Sequence, residues 1–98
     1  MKKKEPNFNN ENYMFCWKCI TDLLYYYDLR EIASNLNVEG VYEIGIEYWV
    51  GYTKHIIVFS PLDDILKSQK VMIEFREEVV SMCEEIVETQ KLQNLVRA

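Results

Sequence analysis

Cys16-Trp17-Lys18-Cys19 sets two thiols at the separation used by reversible disulfides and by shared metal sites. A thioredoxin-like site would need a strand directly before the motif within a βαβ unit, and here a polar arm precedes it. A zinc site would have to complete its four ligands with His55 and Cys83, which belong to separate elements. Buried, inert thiols are the expected state. His55 is the only histidine. A Cys–His nucleophilic pair also requires an orienting group and an oxyanion site, and the sequence offers neither. Asp22, Asp28, Asp63 and Asp64 show no pairing of the kind that acid/base work uses. The chain therefore names no catalytic residue, no metal ligand and no cofactor, and a non-enzymatic role is expected.

The densest constellation of charge lies near the C-terminal end. At about 100° per residue, Glu74, Glu77, Glu78, Glu84, Glu85 and Glu88 gather on one side of a helix. Ile65, Met72, Phe75, Val79, Met82, Cys83, Ile86 and Val87 form a broad apolar stripe on the other. Only Lys70 and Lys91 border the carboxylates. A charged face on an amphipathic helix is usually just solvated. The alternative is that it presents aligned negative charge to a basic groove, imitating nucleic acid. Glu77, Glu78, Glu84, Glu85 and Glu88 are the candidate partner-binding carboxylates. Consecutive tyrosines in a helix cannot all face one way, so at least one of Tyr25, Tyr26 and Tyr27 should point outward. Tyr26, with Trp49 and Tyr52 further on, is a candidate anchor for a partner.

Residues Leu29-Arg30-Glu31-Ile32-Ala33-Ser34-Asn35-Leu36-Asn37-Val38 resemble the first helix and turn of a helix-turn-helix. That resemblance implies a DNA-binding regulator with a recognition helix beginning near Glu39. From Val41 onward, however, the chain alternates like a strand and places Glu43 and Glu47 where bases or phosphates would want donors.

The elements that must position these residues add up to an α+β domain. Asn10 to Tyr27 is apolar around most of a helical wheel, which predicts a helix covered on most sides, in part by another chain. Asp28-Leu29-Arg30-Glu31 has the spacing of a capping box, predicting a short helix from Leu29 to Leu36 with Asn37 at its left-handed end and Gly40 in the turn beyond. From Val41 to Trp49, Tyr42, Ile44, Ile46 and Tyr48 alternate with Glu43, Gly45 and Glu47, which is a half-buried strand. Val50 and Gly51 offer a turn, and Lys54 to Phe59 returns as the second arm of a β-hairpin. A lone hairpin has open edges, so the N-terminal arm or a second copy is expected to add a strand. Ser60-Pro61-Leu62-Asp63 then reads as a helix start. A single helix from Leu62 to Val96 would be roughly 50 Å long, too long for a compact domain of this size. The helical segment is expected to break near Ser68, and the tail carrying Leu92, Leu95 and Val96 leaves the apolar stripe.

In domain terms, residues 1–9 read as a flexible N-terminal arm and 10–98 as one α+β domain. An apolar fraction of 49% in 98 residues supports one modest core. The net charge of −5 argues against attraction to phosphate backbones or anionic lipid, so no direct nucleic acid and no membrane partner is expected. Lys2-Lys3-Lys4 is not followed by the apolar run of a signal peptide, which leads to a cytoplasmic expectation and to three reduced cysteines. Abundant Asn, Lys, Ile, Tyr and Glu beside scarce Ala and Gly is a bias common in AT-rich bacterial and phage coding DNA. The function favoured is a small acidic protein-binding module that blocks a basic surface of a nuclease or nucleic-acid-binding protein, an anti-CRISPR-like inhibitor from a phage or mobile element. A self-associating structural module, most simply a homodimer, is the other alternative to the DNA-binding regulator.

Overall fold

The computed structural model of the chain describes residues 10–39, 43–60 and 64–97. The N-terminal arm, Tyr42, the Gly40 turn and residues 61–63 of the helix start at Ser60 lie outside the described residues. The order is helix α1 (Glu11–Tyr26), helix α2 (Arg30–Ala33), strands β1 (Leu36–Glu39), β2 (Glu43–Val50) and β3 (Thr53–Phe59), a 3-10 turn (Ile65–Lys67) and helix α3 (Gln69–Arg97). This is the expected α+β arrangement, with a third strand completing an antiparallel sheet of order β1-β2-β3.

Helix α1 begins where Asn10, in extended conformation, accepts the Tyr13 N–H on its side-chain Oδ1 at 3.0 Å. Tyr13, Cys16, Ile20, Leu23 and Leu24 recur at helical spacing and are buried. Within the single chain one broad face of the helix is buried, and Met14, Tyr25 and Tyr26 on its other side are exposed, the side for which the sequence leads one to expect cover from another chain. The helix ends in a Schellman motif, with Leu29 N–H donating to Leu24 C=O at 2.7 Å and Asp28 N–H to Tyr25 C=O at 3.0 Å. Asp28 takes the left-handed position with φ 60. It thus closes α1 and does not cap α2, whose N-cap is Leu29 without a side-chain hydrogen bond; the expected capping box is absent.

A left-handed residue with a Cβ is strained unless it is Asn or Asp, and even these fit less easily than glycine. Asp28→Gly is therefore expected to keep or raise stability, whereas Asp28→Val should cost about 1–2 kcal/mol. Urea midpoints of the two variants would decide, and equal losses would show that the side chain matters more than the backbone. The Arg30–Asp28 ion pair, 3.9 Å apart and exposed, contributes little to that comparison.

Helix α2 is one turn, shorter than the expected Leu29 to Leu36 segment. Leu36 to Glu39 instead pairs antiparallel with β2, Leu36 opposite Ile46 and Asn37 opposite Gly45. Backbone pairing along the second edge of β2 outweighs one more turn of isolated helix, which gains little alone. The third strand of the described sheet therefore comes from this segment, a source the local pattern did not suggest, and the N-terminal arm lies outside the described residues. Gly51 and Tyr52 form the two-residue loop of the hairpin, closed by Val50 opposite Thr53. A positive φ at Gly51 alone identifies a type II′ turn, the kind that matches strand twist.

Ile44, Ile46 and Phe59 turn to one side of the sheet and are buried against the helices. On α3, Val79, Met82, Cys83 and Ile86 are buried, with Met72, Phe75 and Val87 half-buried beside them, so the apolar stripe is as expected. The break also falls at Ser68, which is extended (φ −134, ψ 116) and whose Oγ accepts the Val71 N–H at 3.3 Å. The Ser60 hydroxyl donates to Glu43 Oε2 at 3.1 Å. After the break, α3 runs 29 residues without interruption, roughly 43 Å at about 1.5 Å per residue. The longest dimension of the molecule, 47 Å, accommodates that rod, and Leu92 near its end is exposed.

Candidate partner-binding surface

The helical pattern that buries the α3 stripe necessarily turns its glutamates outward. Glu74, Glu77, Glu78, Glu84, Glu85 and Glu88 are all exposed. Two aromatic groups flank the row. On the α1 side, Tyr27 Oη donates to Glu84 Oε1 at 3.2 Å, and Tyr26 sits edge-on to Tyr27 with ring centroids 5.2 Å apart. Burial raises the Tyr27 phenol pKa, and the hydrogen bond to Glu84 raises it further. Tyr26 itself is 80% exposed. On the sheet side, Tyr48 stacks on His55 at 5.1 Å; burial raises its phenol pKa, with the nearby Glu85 charge adding to the shift.

Of the sequence-derived candidates, the structure brings together the α3 carboxylates and the Tyr26–Tyr27 pair. Trp49 is not part of that group. By the alternation of β2 it lies on the outer sheet face, opposite the helices, along with Ile56 and Val58 of β3. Tyr52 occupies the hairpin loop and is 98% exposed. Reasoning from sequence missed Tyr27 and Tyr48 as flanking groups. The signal for the outer patch was nevertheless present: in Thr53–Phe59 both parities, Ile56 and Val58 as well as Ile57 and Phe59, are apolar.

A cleft opens between the end of β3 and α3, lined by Val58, Phe59, Ile65, Val71, Phe75 and the carboxylates of Glu74 and Glu78, with a volume of 410 Å³. Its floor is fixed by Phe59 and Phe75, edge-on at 5.7 Å.

The groups considered for chemistry are placed otherwise. Cys16 and Cys83 are buried and Cys19 half-buried. Burial, with the neighbouring Cys19 adding to it, pushes the Cys16 thiol up to about 12 and the Cys83 thiol up to about 11. At neutral pH these thiols stay protonated and are poor nucleophiles. His55 stacks on Tyr48. Asp64 pairs with Lys67 at 3.1 Å, and Asp63 lies outside the described residues. Among the described residues, no three His, Cys, Asp or Glu side chains gather where they could hold a metal ion. The segment that the helix-turn-helix resemblance requires to be a recognition helix contains strand β2. No described helix is long and apolar enough to cross a membrane. Compared with known proteins, the chain matches no family model, and no significant match is found among curated proteins or solved structures.

Proposed function

We propose that the chain is a non-enzymatic binding module whose α3 carboxylate face engages a basic protein surface of the kind that otherwise holds nucleic acid. The observation carrying this reading is that all six glutamates are exposed along one side of a single helix and that, among the described residues, none of them forms an ion pair. Elsewhere on the described surface three carboxylates are paired, Glu47 with Lys54 at 3.2 Å, Asp64 with Lys67 and Asp28 with Arg30, while Glu11, Asp22 and Glu31 stand singly. On α3 the spacing does the reverse. Glu74 and Glu78, and Glu84 and Glu88, are like charges four residues apart, each pair costing about 0.2–0.5 kcal/mol in the free helix. A basic partner would remove that repulsion and gain complementarity, which favours fast and specific association. An inhibitor occupying the nucleic-acid groove of a nuclease is the role this charge row suits, with Tyr26 and Tyr27 as its aromatic border.

The test is an affinity capture with the wild type and with Glu77, Glu78, Glu84, Glu85 and Glu88 all changed to Gln. The variant should be at least as stable as the wild type, because the repulsion is gone. Its affinity for the captured basic protein should fall on the order of a hundredfold, at some tenths of a kcal/mol per carboxylate. Equal capture by both proteins would mean the face is only solvated, and the aromatic residues Tyr26, Trp49 and Tyr52 would become the site.

A further inference from the structure

The cleft beside β3 has the parts of a strand-accepting groove. Among the described residues β3 has a neighbour on one side only, so it is an edge strand. In an antiparallel ladder, alternate residues of an edge strand turn both backbone groups away from the neighbour. Counted from the closing pair Val50–Thr53, these are Lys54, Ile56 and Val58. Their N–H and C=O groups form a template onto which an extended chain can add. Beside that template, Phe59, Phe75, Ile65 and Val71 make an apolar wall, and Glu74 and Glu78 stand at its rim.

We propose that this groove binds an extended segment of a basic partner by strand addition to β3. The segment would alternate Lys or Arg, directed at Glu74 and Glu78, with aliphatic residues that cover Ile56 and Val58 on the outer sheet face. Those two side chains are 58% and 46% exposed, unusual for aliphatic residues in the middle of a strand. Main-chain bonds supply affinity in this mode, and the alternating side chains supply selectivity. Charge decides the occupant. A second copy joined β3 to β3 by a two-fold axis would set two α3 glutamate rows on the same side of the joined sheet, whereas a basic segment neutralises one. The inference rests on the reading of α3 as a binding face and adds the recognition mode and the sequence pattern recognised.

The experiment uses a labelled peptide of four Lys-Val repeats, the same peptide with alternate amides N-methylated, and a Glu-Val counterpart, each titrated by fluorescence anisotropy. The Lys-Val peptide should bind saturably, the Glu-Val peptide should not, and N-methylation should weaken binding on the order of tenfold or more through lost main-chain bonds. Glu74→Gln should weaken the Lys-Val peptide about threefold. Equal binding of the methylated peptide overturns strand addition. So does absence of Lys-Val binding, or a mass of twice 11.8 kDa in light scattering of the protein alone, which would give the edge to a second copy. Glu78 belongs to both the groove rim and the capture variant, but N-methylation reads main-chain bonds alone and leaves every carboxylate in place. Loss of capture without an effect of N-methylation sinks strand addition only, and the carboxylate-face reading and the strand-addition inference therefore fail separately.

Discussion

Truncating Ile46 to Ala is expected to lower the free energy of unfolding by about 3–4 kcal/mol, within the range found for buried aliphatic side chains. Ile46 sits in the middle of the central strand, opposite Leu36 on one side and Ile57 on the other, and is fully buried. A void there faces three elements that cannot all collapse into it: the β1 edge, the β3 edge and the helical layer. Ile46→Val, which removes one methylene, should cost about 1 kcal/mol. The control is Ile56→Ala, one residue from Ile57 and on the opposite sheet face. Because Ile56 is mostly exposed, its truncation should change stability by no more than about 0.5 kcal/mol. Urea denaturation at two protein concentrations checks all three. A domain of this size has only about 5–15 kcal/mol in total, so the first variant should be visibly marginal. A loss at Ile56 as large as at Ile46, growing with protein concentration, would mean that a second copy covers the outer face.

The apolar pattern of α3 and the alternation of β2 were legible because each element repeats its own period over many residues. Val79, Cys83 and Ile86 follow the helical spacing, and Ile44 and Ile46 the strand spacing, with nothing nearby competing. The break at Ser68 was legible as a polar residue on the apolar stripe, and the structure adds that its hydroxyl caps the longer helix. Segment 28–39 was not legible. Asp28 has the chemistry of an N-cap and also that of a left-handed terminus, and local spacing does not choose between them. What chooses is the burial of Leu29 against the core, which pulls the chain sharply back after α1. Leu36 likewise belongs to a helix by local pattern and to a sheet by contact with Ile46, ten residues on. Tertiary pairing outweighed propensity there.

The candidate surface divides along the same line. Exposure of the glutamates follows from the period of α3 alone, since burying one stripe leaves the opposite one in water. The partners of that row do not follow from it. Tyr27 reaches Glu84 across 57 positions of sequence, and Trp49 is separated from the row because strand parity sends it to the other side of the sheet. The cleft at β3 required the relative placement of an edge strand and a helix. Its ingredients could be read in advance, but their meeting at Phe59 and Phe75 could not.

Raising the pH from 8 to 10 should remove about 3 kcal/mol of stability through Cys16 and Cys83 together. The ordinary thiol value is 9.0, and burial pushes these two up to about 12 and about 11 in the folded chain. In the unfolded chain they lose their protons as the pH passes 9, while in the folded chain they keep them. The unfolded state then binds fewer protons, so stability falls with rising pH; it is fully present below pH 9 and declines until the folded values are reached. Each thiol contributes at most about 1.4 kcal/mol per pH unit in that window. Above pH 10 the phenols of Tyr13, Tyr27 and Tyr48 add to the decline, since burial raises all three from 10.0. Cys19, whose thiol pKa burial also raises from 9.0, titrates in the same interval, and the phenols begin to contribute as the pH nears 10, so Cys16 and Cys83 are isolated by the difference between the wild type and a variant lacking both. Changing Cys16 and Cys83 to Ala will cost some packing at every pH, but it should flatten the slope in that interval, and the slope is what urea unfolding at successive pH values reads. A wild-type slope equal to that of the double variant would show that solvent reaches both sulfurs. Thiol labelling at pH 8 gives an independent check: half-buried Cys19 should react first, with Cys16 and Cys83 following only as fast as the chain unfolds.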